Sequence, residues 1–368
     1  MDSRTGWQYA GVFRAAGFEK ESTAVNRPSF SWTILAVAIA SYPAVASEPI
    51  RDHSAWTDTA GNPISCHDGG ITRVGDTFYW YGTSYKGNPT GIWGRKGAHL
   101  QQGLNCYSSK NLVDWKYEGV CLQFPKDGWL AQGTSHRPNV LACDKTGKYV
   151  LWFFCIGTTE PEYPAAMLAV AVADKPAGPF TFAGQRNTAE EHGWGQDLGL
   201  FKDQDGKGYL VYDDGHRNIR VDLLADDFLS VSGQTTIALK SDGRQKRYEG
   251  AALIRYKRKY IAAGSGVEGW NPTDTSYAVA DAPLGPYREM GRMSAQRTWN
   301  SQISNFVYIA ESDKVFAMCD QWFRGPKGER VPIDESCQLW LPLSFAPATG
   351  AAKMLHVEQW NPWKREGN

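Results

Sequence analysis

The chain has 368 residues, with 39 basic and 39 acidic side chains and therefore no net charge. A neutral balance excludes a surface built to hold a polyanion such as nucleic acid. Hydrophobic residues at 42% suffice for a packed core, and charged residues at 21% argue against a disordered or coiled-coil chain. Aromatic residues reach 13%, beside 38 glycines and 19 prolines. This composition is typical of many short strands joined by turns.

An apolar run from Ile34 to Ala46 follows Arg27 and ends in small residues, which is the arrangement of a secretory signal peptide. The run is shorter than the roughly 20 residues that a membrane span needs. We therefore expect residues 1–46 to be an N-terminal extension with a signal peptide, and the protein to be secreted or periplasmic with no membrane span after processing. The alternative for this run is a buried strand or the start of a helix. The preceding polar stretch is unusually long, which makes Val25 a candidate initiator.

Seven cysteines are compatible with an oxidising compartment, and the absence of a CxxC motif disfavours zinc ribbons and thioredoxin-type sites. Cys106 and Cys121 flank a turn-like segment, and so do Cys319 and Cys337. A disulfide across a hairpin is therefore one option for each pair, while at least one cysteine must stay unpaired within the chain.

Five segments share one pattern, a turn residue followed by an aromatic residue inside a short β-branched or aromatic run. These aromatic residues lie 51 to 70 residues apart and are Tyr79, Tyr149, Tyr209, Tyr260 and Phe316. Units of this length with about four strands each are typical of propeller blades, because one small sheet cannot bury both faces alone. The sequence predicts an all-β fold, a single-domain five-bladed β-propeller over residues 47–368. A β-sandwich is the alternative, but it would not produce this recurrence.

A polar residue stands 11 to 14 positions before each aromatic residue, at the start of an apolar strand segment. The five are Asp68, His136, Asp197, Glu249 and Gln302. Because the first strand of each blade lines the central axis of a propeller, we expect these side chains to converge on one funnel mouth.

Three carboxylates in one partly desolvated cleft cannot all keep ordinary pKa values. Burial and like charge should raise the pKa of at least one, which leaves a proton donor beside an ionised base. Glycoside hydrolysis needs this division, since one acid protonates the departing oxygen and a carboxylate activates water. The expected partner is thus an oligo- or polysaccharide, and tryptophans near the ring would stack on sugar faces.

The motifs resemble those of glycoside hydrolase family 43 from about Ile64 to Trp363. The segments concerned are His67–Ile71 with Gly75–Gly82, Arg137–Val140, Asp197–Phe201 with Asp205-Gly206, and Tyr248–Ala251. The segments 269–272 and 301–302 look most like those of the exo-β-1,3-galactanase and galactosidase members. The family consists of inverting five-bladed propellers. The resemblance therefore implies Asp68 as general base, Glu249 as general acid, and Asp197 as the residue that orients the acid and modulates its pKa.

Two positions depart from the galactanase-like pattern. Those members usually carry glycine where Asp68 stands and use a glutamine, matched here by Gln302, to hold the water. They also carry glutamate before the Arg-Pro pair, where this chain has His136. Having both Asp68 and Gln302, the chain is open to the ordinary family mechanism, and the contact made by His136 to a sugar hydroxyl is expected to differ.

Each candidate also has a structural interpretation. Asp68 and Asp197 could cap turns or strand starts, Glu249 could pair with Arg244 or Arg247 on the rim, and His136 could be an internal hydrogen-bonding residue. The expected substrate-binding residues are His136, Arg137, Gln302, Trp194, Trp270 and Trp299, although core packing is the common role of a tryptophan. No cofactor is expected; the sequence leaves open a structural calcium or sodium ion on the propeller axis.

The sequence thus predicts an exported inverting glycosidase that acts on plant-type polysaccharides or their oligosaccharides. Galactose from β-1,3-galactan or arabinogalactan is the favoured sugar. The alternatives are an α-L-arabinofuranosidase or β-xylosidase of the same family, and a non-catalytic carbohydrate-binding propeller.

Overall fold

The computed structural model describes residues 48–52, 55–85, 103–125, 134–158, 164–189 and 195–365, all within one compact unit, Val45–Asn368. The predicted N-terminal extension and signal peptide, residues 1–46, lie outside the described residues. Among the described residues there is no helix of the length and hydrophobicity that a bilayer crossing requires.

Twenty strands form five four-stranded sheets, each an antiparallel meander of consecutive strands. Blade one contains β2 (His67–Val74), β3 (Thr77–Thr83), β4 (Gly103–Ser109) and β5 (Lys116–Gln123), and blade two contains β6 (Thr134–Cys143), β7 (Lys148–Thr158), β8 (Pro164–Ala173) and β9 (Thr181–Arg186). Blade three contains β10 (Gln196–Lys202), β11 (Gly208–Asp213), β12 (Ile219–Leu224) and β13 (Val231–Leu239), and blade four contains β14 (Tyr248–Tyr256), β15 (Lys259–Gly266), β16 (Thr275–Ala280) and β17 (Arg288–Arg292). Blade five contains β18 (Gln302–Ile309), β19 (Lys314–Gln321), β20 (Cys337–Ala346) and β21 (Ala351–Met354). The predicted five-bladed propeller is confirmed.

Four further elements of the described chain lie outside the blades. β1 (Ile50–Arg51) pairs antiparallel with β22 (Gln359–Trp360), which ties the start of the described chain to its end. A short helical turn, α1 (Gln296–Asn300), precedes blade five, and a 3₁₀ turn (Ile333–Glu335) connects β19 to β20.

The repeated aromatic residues all lie on the second strand of a blade, opposite the first strand. Tyr79 pairs with Thr72, and Phe316 pairs with Val307. The strand segments that follow the ring residues are the first strands, as predicted. The repeat in the sequence is therefore the hairpin formed by the inner two strands of each blade.

The hydrophobic core is divided among the five interfaces between neighbouring blades, each with its own cluster of buried side chains. The interface between blades five and one closes the ring. There Trp80, Trp115 and Trp340 pack edge to face with centroids 5.2 to 6.0 Å apart. Ile50 and Trp360 of the terminal strand pair join the same cluster. Aromatic packing thus holds the first blade to the last.

All seven cysteines are free and buried, so the structure forms neither of the hairpin disulfides considered above. The strand register explains why. Cys106 lies opposite Gly119 rather than Cys121, and Cys337 lies opposite Gln321 rather than Cys319.

One buried guanidinium connects three blades at the axis. Arg137 of blade two lies with its Nε 3.4 Å from Asp197 Oδ1 of blade three. Its Nη1 donates to the carbonyl of Ile303 at 2.8 Å, and its Nη2 donates to Gln302 Oε1 at 2.7 Å, both in blade five. Burial works against the charge of Arg137, but the charges of Asp197 and other carboxylates outweigh it and raise its pKa above the usual value. The guanidinium therefore stays charged and holds the inner strands together.

Arg137→Met keeps most of the aliphatic stem but leaves the Asp197 carboxylate without its cation. We expect a loss of about 3–5 kcal/mol in the free energy of unfolding, the usual cost of breaking a buried ion pair. Urea denaturation measures it. The matched control is Arg73→Met, which removes a more exposed arginine paired with Glu311 and should cost at most about 1 kcal/mol. Equal losses in the two variants would contradict this role for Arg137.

Candidate functional site

The first strand of every blade carries a β-bulge at or just after the ring residue. In four blades one residue of the bulge has a left-handed backbone, with φ between 46° and 65°; these are Asp68, Arg137, Asp197 and Gly250. The register thus places Asp68 and Asp197 within bulges, and His136 and Glu249 one position before them. Because a bulge re-aims a side chain and ends regular pairing, it turns these polar residues toward the funnel mouth.

A cavity of about 340 Å³ opens at this end of the axis. Seven of the nine predicted site residues line it: Asp68, His136, Arg137, Asp197, Glu249, Trp270 and Gln302. The volume is at the lower end of the roughly 300–1,000 Å³ typical of small-molecule clefts. The expectation that residues from five separate blades meet in one place is confirmed.

Asp68 is buried, and both of its carboxylate oxygens accept hydrogen bonds. Oδ1 accepts from the backbone N–H of Arg137 at 3.1 Å, and Oδ2 accepts from the Tyr85 hydroxyl at 3.0 Å. Nδ1 of His136 lies 3.2 Å from the same Oδ2. Burial alone would raise the pKa of Asp68, but the hydrogen bond and charge of His136 and the charge of Arg137 outweigh it and lower the pKa. Asp68 is therefore ionised at neutral pH.

Glu249 lies in the same cavity but has the opposite protonation state. Burial and the negative charge of Asp197 raise its pKa to about 8, against the opposing charges of Arg217 and Arg137. Among the described residues, the nearest cation is Arg217, whose Nη1 is 3.5 Å from Glu249 Oε2, and neither Arg244 nor Arg247 of the rim pairs with it. At neutral pH most molecules hold a proton on Glu249.

Gln302 is fixed by four contacts that also determine the orientation of its amide. Oε1 accepts from Arg137 Nη2 at 2.7 Å and from the indole N–H of Trp322 at 2.9 Å. Nε2 must then be the donor, and it lies 3.0 Å from Glu249 Oε1 and 3.1 Å from Ser265 Oγ. Oε1 accepts the shorter hydrogen bond, 3.0 Å against the 3.5 Å of Oε2 from Arg217, so the proton of Glu249 is assigned to Oε2.

Asp197 completes the group of three carboxylates. Oδ1 faces Arg137, and Oδ2 accepts from the backbone N–H of Gly250 at 3.3 Å. Both oxygens are thus held by the protein. The contacts of Arg137 show why it is a poor substrate ligand, although it was predicted as one: its side chain is 2% exposed and three of its N–H groups bind protein acceptors.

Two tryptophans form one wall of the cavity. Trp270, a predicted stacking residue, meets Trp322 edge to face with ring centroids 5.1 Å apart. Trp322 is 7% exposed and also holds Gln302. Aromatic surface beside hydrogen-bonding groups suits a ligand with one apolar face and many hydroxyls, such as a sugar.

The other two predicted tryptophans do not contribute to the described cavity. Trp194 lies outside the described residues. The prediction for Trp299 is wrong, because its ring stacks on His356 at 5.0 Å and packs against the core between blades four and five. Proximity to Gln302 in the sequence was misleading at this position.

The turn α1 explains the orientation of Trp299. All five of its residues have φ between 48° and 61°, a left-handed backbone that costs non-glycine residues roughly 1–2 kcal/mol each. The buried Thr298 hydroxyl offsets part of this strain, since it lies within 3.0 Å of Thr273 O, Ser294 Oγ and Thr275 Oγ1. The turn feeds directly into Gln302 and sets where β18 begins.

Sequence reasoning missed four residues of the site: Tyr85, Asp213, Arg217 and Trp322. Asp213 ends the second strand of its blade, and Tyr85 and Trp322 follow the ends of theirs. The register brings these strand ends next to the ring; Asp213, for example, is paired with Gln196. Counting forward from each repeated aromatic residue would have found them. Arg217 comes from a turn and has no such signal.

The calcium or sodium ion that the sequence left open stays a prediction, and the polar groups that the structure places near the axis are the following. The guanidinium of Arg137 already supplies positive charge there, and the amides of Asn139 and Asn305 bind each other at 2.8 Å. In the described part of the chain, no group of three or more His, Cys, Asp or Glu side chains could hold a metal ion.

The site therefore combines a buried carboxylic acid that keeps its proton with a carboxylate that is held ionised. Such a pair can donate a proton at one place and accept one at another in a single cavity.

Comparisons with known proteins agree with this geometry. The family model of glycosyl hydrolases family 43 matches residues 60–317, while the search of curated proteins found no match. A family 43 β-1,3-galactosidase solved with galactodeoxynojirimycin is 26% identical, with a TM-score of 0.73, and the match covers 85% of this chain and 100% of that one.

Two exo-β-1,3-galactanases are similar as well. The structure of the Phanerochaete chrysosporium enzyme with β-1,3-galactotriose is 27% identical with a TM-score of 0.72, covering 86% of this chain and 68% of that one. The Clostridium thermocellum enzyme is 26% identical with a TM-score of 0.71, covering 85% and 66%. With the family model matching more than half of its length, the chain belongs to glycosyl hydrolases family 43 and is a glycosidase.

Proposed function

We propose that this glycosidase inverts the anomeric configuration of its substrate and removes terminal galactose from β-1,3-galactan or arabinogalactan chains or their oligosaccharides. The observation that carries the proposal is the contrast between two carboxyl groups in one cavity. Glu249 has a pKa of about 8, whereas the pKa of Asp68 is lowered. An inverting glycosidase needs a protonated acid and an ionised base at the same pH.

Each carboxyl group has one role in the reaction. Glu249 donates its proton from Oε2 to the glycosidic oxygen, which leaves with the electron pair of the broken bond. Asp68 accepts a proton from the water that attacks the anomeric carbon on the opposite face. Asp197, held by Arg137 and Gly250, keeps the pKa of Glu249 high through its negative charge.

Galactose is the favoured sugar because the similar structures include a galactosidase and galactanases, one of them solved with β-1,3-galactotriose. Trp270 and Trp322 offer an apolar wall for one face of a sugar ring. His136 forms hydrogen bonds with Asp68 and Tyr85. Its contact with a sugar hydroxyl should therefore differ from that of the glutamate that galactanase-like members carry at this position. A panel of galacto-, arabino- and xylo-oligosaccharides identifies the sugar.

We also propose export, on the basis of the apolar run Ile34–Ala46 and the small residues that end it. A polysaccharide is too large to enter a cell, so a glycosidase that trims one is expected to act outside the cytoplasm.

Glu249→Gln removes the transferable proton while keeping the shape of the side chain. We expect turnover of β-1,3-galacto-oligosaccharides to fall about 10²–10⁴-fold, the usual contribution of general acid catalysis. Binding of the same sugar, measured by calorimetry, should change little. The control is Glu289→Gln, which alters a more exposed glutamate of the same blade paired with Lys246 and should retain full activity. If the wild-type protein and Glu249→Gln both bind the sugar and neither hydrolyses it, the non-catalytic alternative is favoured.

Tyr85→Phe removes one hydrogen bond to Asp68 and leaves the ring in place. Losing this donor destabilises the ionised carboxylate, so the pKa of Asp68 rises and the acidic limb of the kcat/KM profile moves to higher pH. The control is Tyr81→Phe, which removes a buried hydroxyl bonded to the carbonyl of Pro176, away from Asp68. An unchanged acidic limb in Tyr85→Phe would argue against Asp68 as the base.

A further inference from the structure

Arg217 lies between two carboxyl groups at the edge of the cavity. Its Nη1 is 2.6 Å from Asp213 Oδ2 and 3.5 Å from Glu249 Oε2. The residue belongs to the turn between β11 and β12, where its backbone is left-handed with a φ of 67°. The same guanidinium nitrogen thus makes a short ion pair with Asp213 and a longer contact with Glu249.

Asp213 is an immobile partner. It is fully buried; Oδ1 accepts from the backbone N–H of Gly215 at 3.0 Å and Oδ2 accepts from Gln196 Nε2 at 2.8 Å. Burial raises the pKa of Asp213 to about 6 against the opposing charge of Arg217, so the carboxyl is mostly ionised at neutral pH. Before the reaction, the cation is thus held by Asp213.

The oxygen of Glu249 that faces Arg217 is the one that gives up the proton. Oε1 accepts the shorter hydrogen bond, from Gln302 at 3.0 Å, whereas Oε2 accepts only the 3.5 Å contact from Arg217, and this assigns the proton to Oε2. When the proton moves to the glycosidic oxygen, a negative charge appears on a largely buried carboxylate that has Arg217 as its nearest cation. A small movement of this long side chain would shorten the 3.5 Å hydrogen bond from Nη1 to Oε2 to the roughly 2.8 Å of a charge-assisted one.

We propose that Asp213 and Arg217 are positioning residues for the acid: Asp213 retains the guanidinium while Glu249 is protonated, and Arg217 turns toward Oε2 as the proton leaves. This rests on the proposed function, in which Glu249 is the general acid. While the guanidinium of Arg217 stays at Asp213, Glu249 keeps its proton in the resting enzyme. When the guanidinium turns toward Glu249, it stabilises the carboxylate that remains after the proton has been transferred.

Other charged groups facing Glu249 act with this pair. Asp197 on β10 and Asp213 on β11 raise the pKa of Glu249, while Arg217 and Arg137 on β6 lower it. Asp68 and His136 line the same cavity, and Gln302 is neutral. Two substitutions at neighbouring positions should consequently have opposite effects. Removing the charge of Arg217 raises the pKa of Glu249, and neutralising Asp213 lowers it.

The experiment compares Arg217→Gln with Asp213→Asn. In the pH profile of kcat on phenyl β-galactoside, the alkaline limb should move to higher pH in Arg217→Gln and to lower pH in Asp213→Asn. Arg217→Gln should also lose about 10- to 100-fold in kcat on the phenyl glycoside, a part of the acid's contribution. It should lose much less on a dinitrophenyl β-galactoside, whose leaving group needs no proton. Arg217→Lys should restore the position of the limb.

A second measurement needs no substrate. The carbon-13 carboxyl resonance of Glu249 should titrate at higher pH in Arg217→Gln and at lower pH in Asp213→Asn. The matched control is Arg220→Gln, which breaks the 3.1 Å ion pair between Arg220 of β12 and Asp214 of the same turn, whose side chain is fully buried. It should lower stability and leave both the titration and the pH limb unchanged.

The inference is overturned if both variants shift the Glu249 titration in the same direction, if neither shifts it, or if Arg220→Gln shifts it equally. The proposed function fails separately, and is recognised by Glu249→Gln retaining wild-type turnover. Loss of activity in Glu249→Gln together with an unmoved limb in Arg217→Gln overturns only the positioning role.

Discussion

The buried guanidinium of Arg137 is the constraint on which the rest of the site depends. A propeller places the first strands of its blades side by side around an axis, where backbone and side-chain polar groups have little water to bind. Arg137 satisfies acceptors from two other blades and carries the charge that balances Asp197. Because the same side chain holds Gln302 Oε1, it fixes the amide that binds Glu249. The guanidinium of Arg137 therefore both links the inner strands of the blades and orients the amide that binds the acid Glu249.

Two carboxyl groups of the same cavity differ in protonation because their immediate neighbours differ, while both are buried. Asp68 accepts hydrogen bonds on both oxygens and faces His136 and Arg137, which favour its charged form. Glu249 faces Asp197 and shares its nearest cation with Asp213, which favours its neutral form. Burial by itself raises both pKa values, and only at Asp68 do the neighbouring groups outweigh it. Environment alone thus gives two chemically similar groups opposite roles.

The architecture and the main carboxylates could be predicted from the sequence because both depend on local repetition. Each hairpin packs an aromatic residue against a neighbouring blade and ends in a turn, so Tyr79 or Tyr260 marks its blade, and counting backward from it reaches Asp68 or Glu249. This count gives only an approximate position for each ring residue, however. It located the ring residues only to a range of 11 to 14 positions before the aromatic residue, whereas the register shows Asp68 inside its bulge and His136 one position before its own.

The remaining parts of the site depend on contacts between distant segments. The pairing of Arg217 with Asp213 and Glu249 follows from the path of one turn, and nothing in the repeat encodes it. Trp322 was not expected, although it lies where the second strand of blade five ends. Trp299 was expected beside the substrate because it is close to Gln302 in sequence, but the left-handed turn directs its ring to His356.

The central claim is that Glu249 and Asp68 act from opposite faces of the bond, the first on the leaving oxygen and the second through water. Proton NMR during the first minutes of β-1,3-galactobiose hydrolysis tests this claim directly, because it identifies the anomer of galactose released before mutarotation. Attack by water from the opposite face predicts α-galactose as the first product. Initial release of β-galactose would show retention of configuration and would contradict the account.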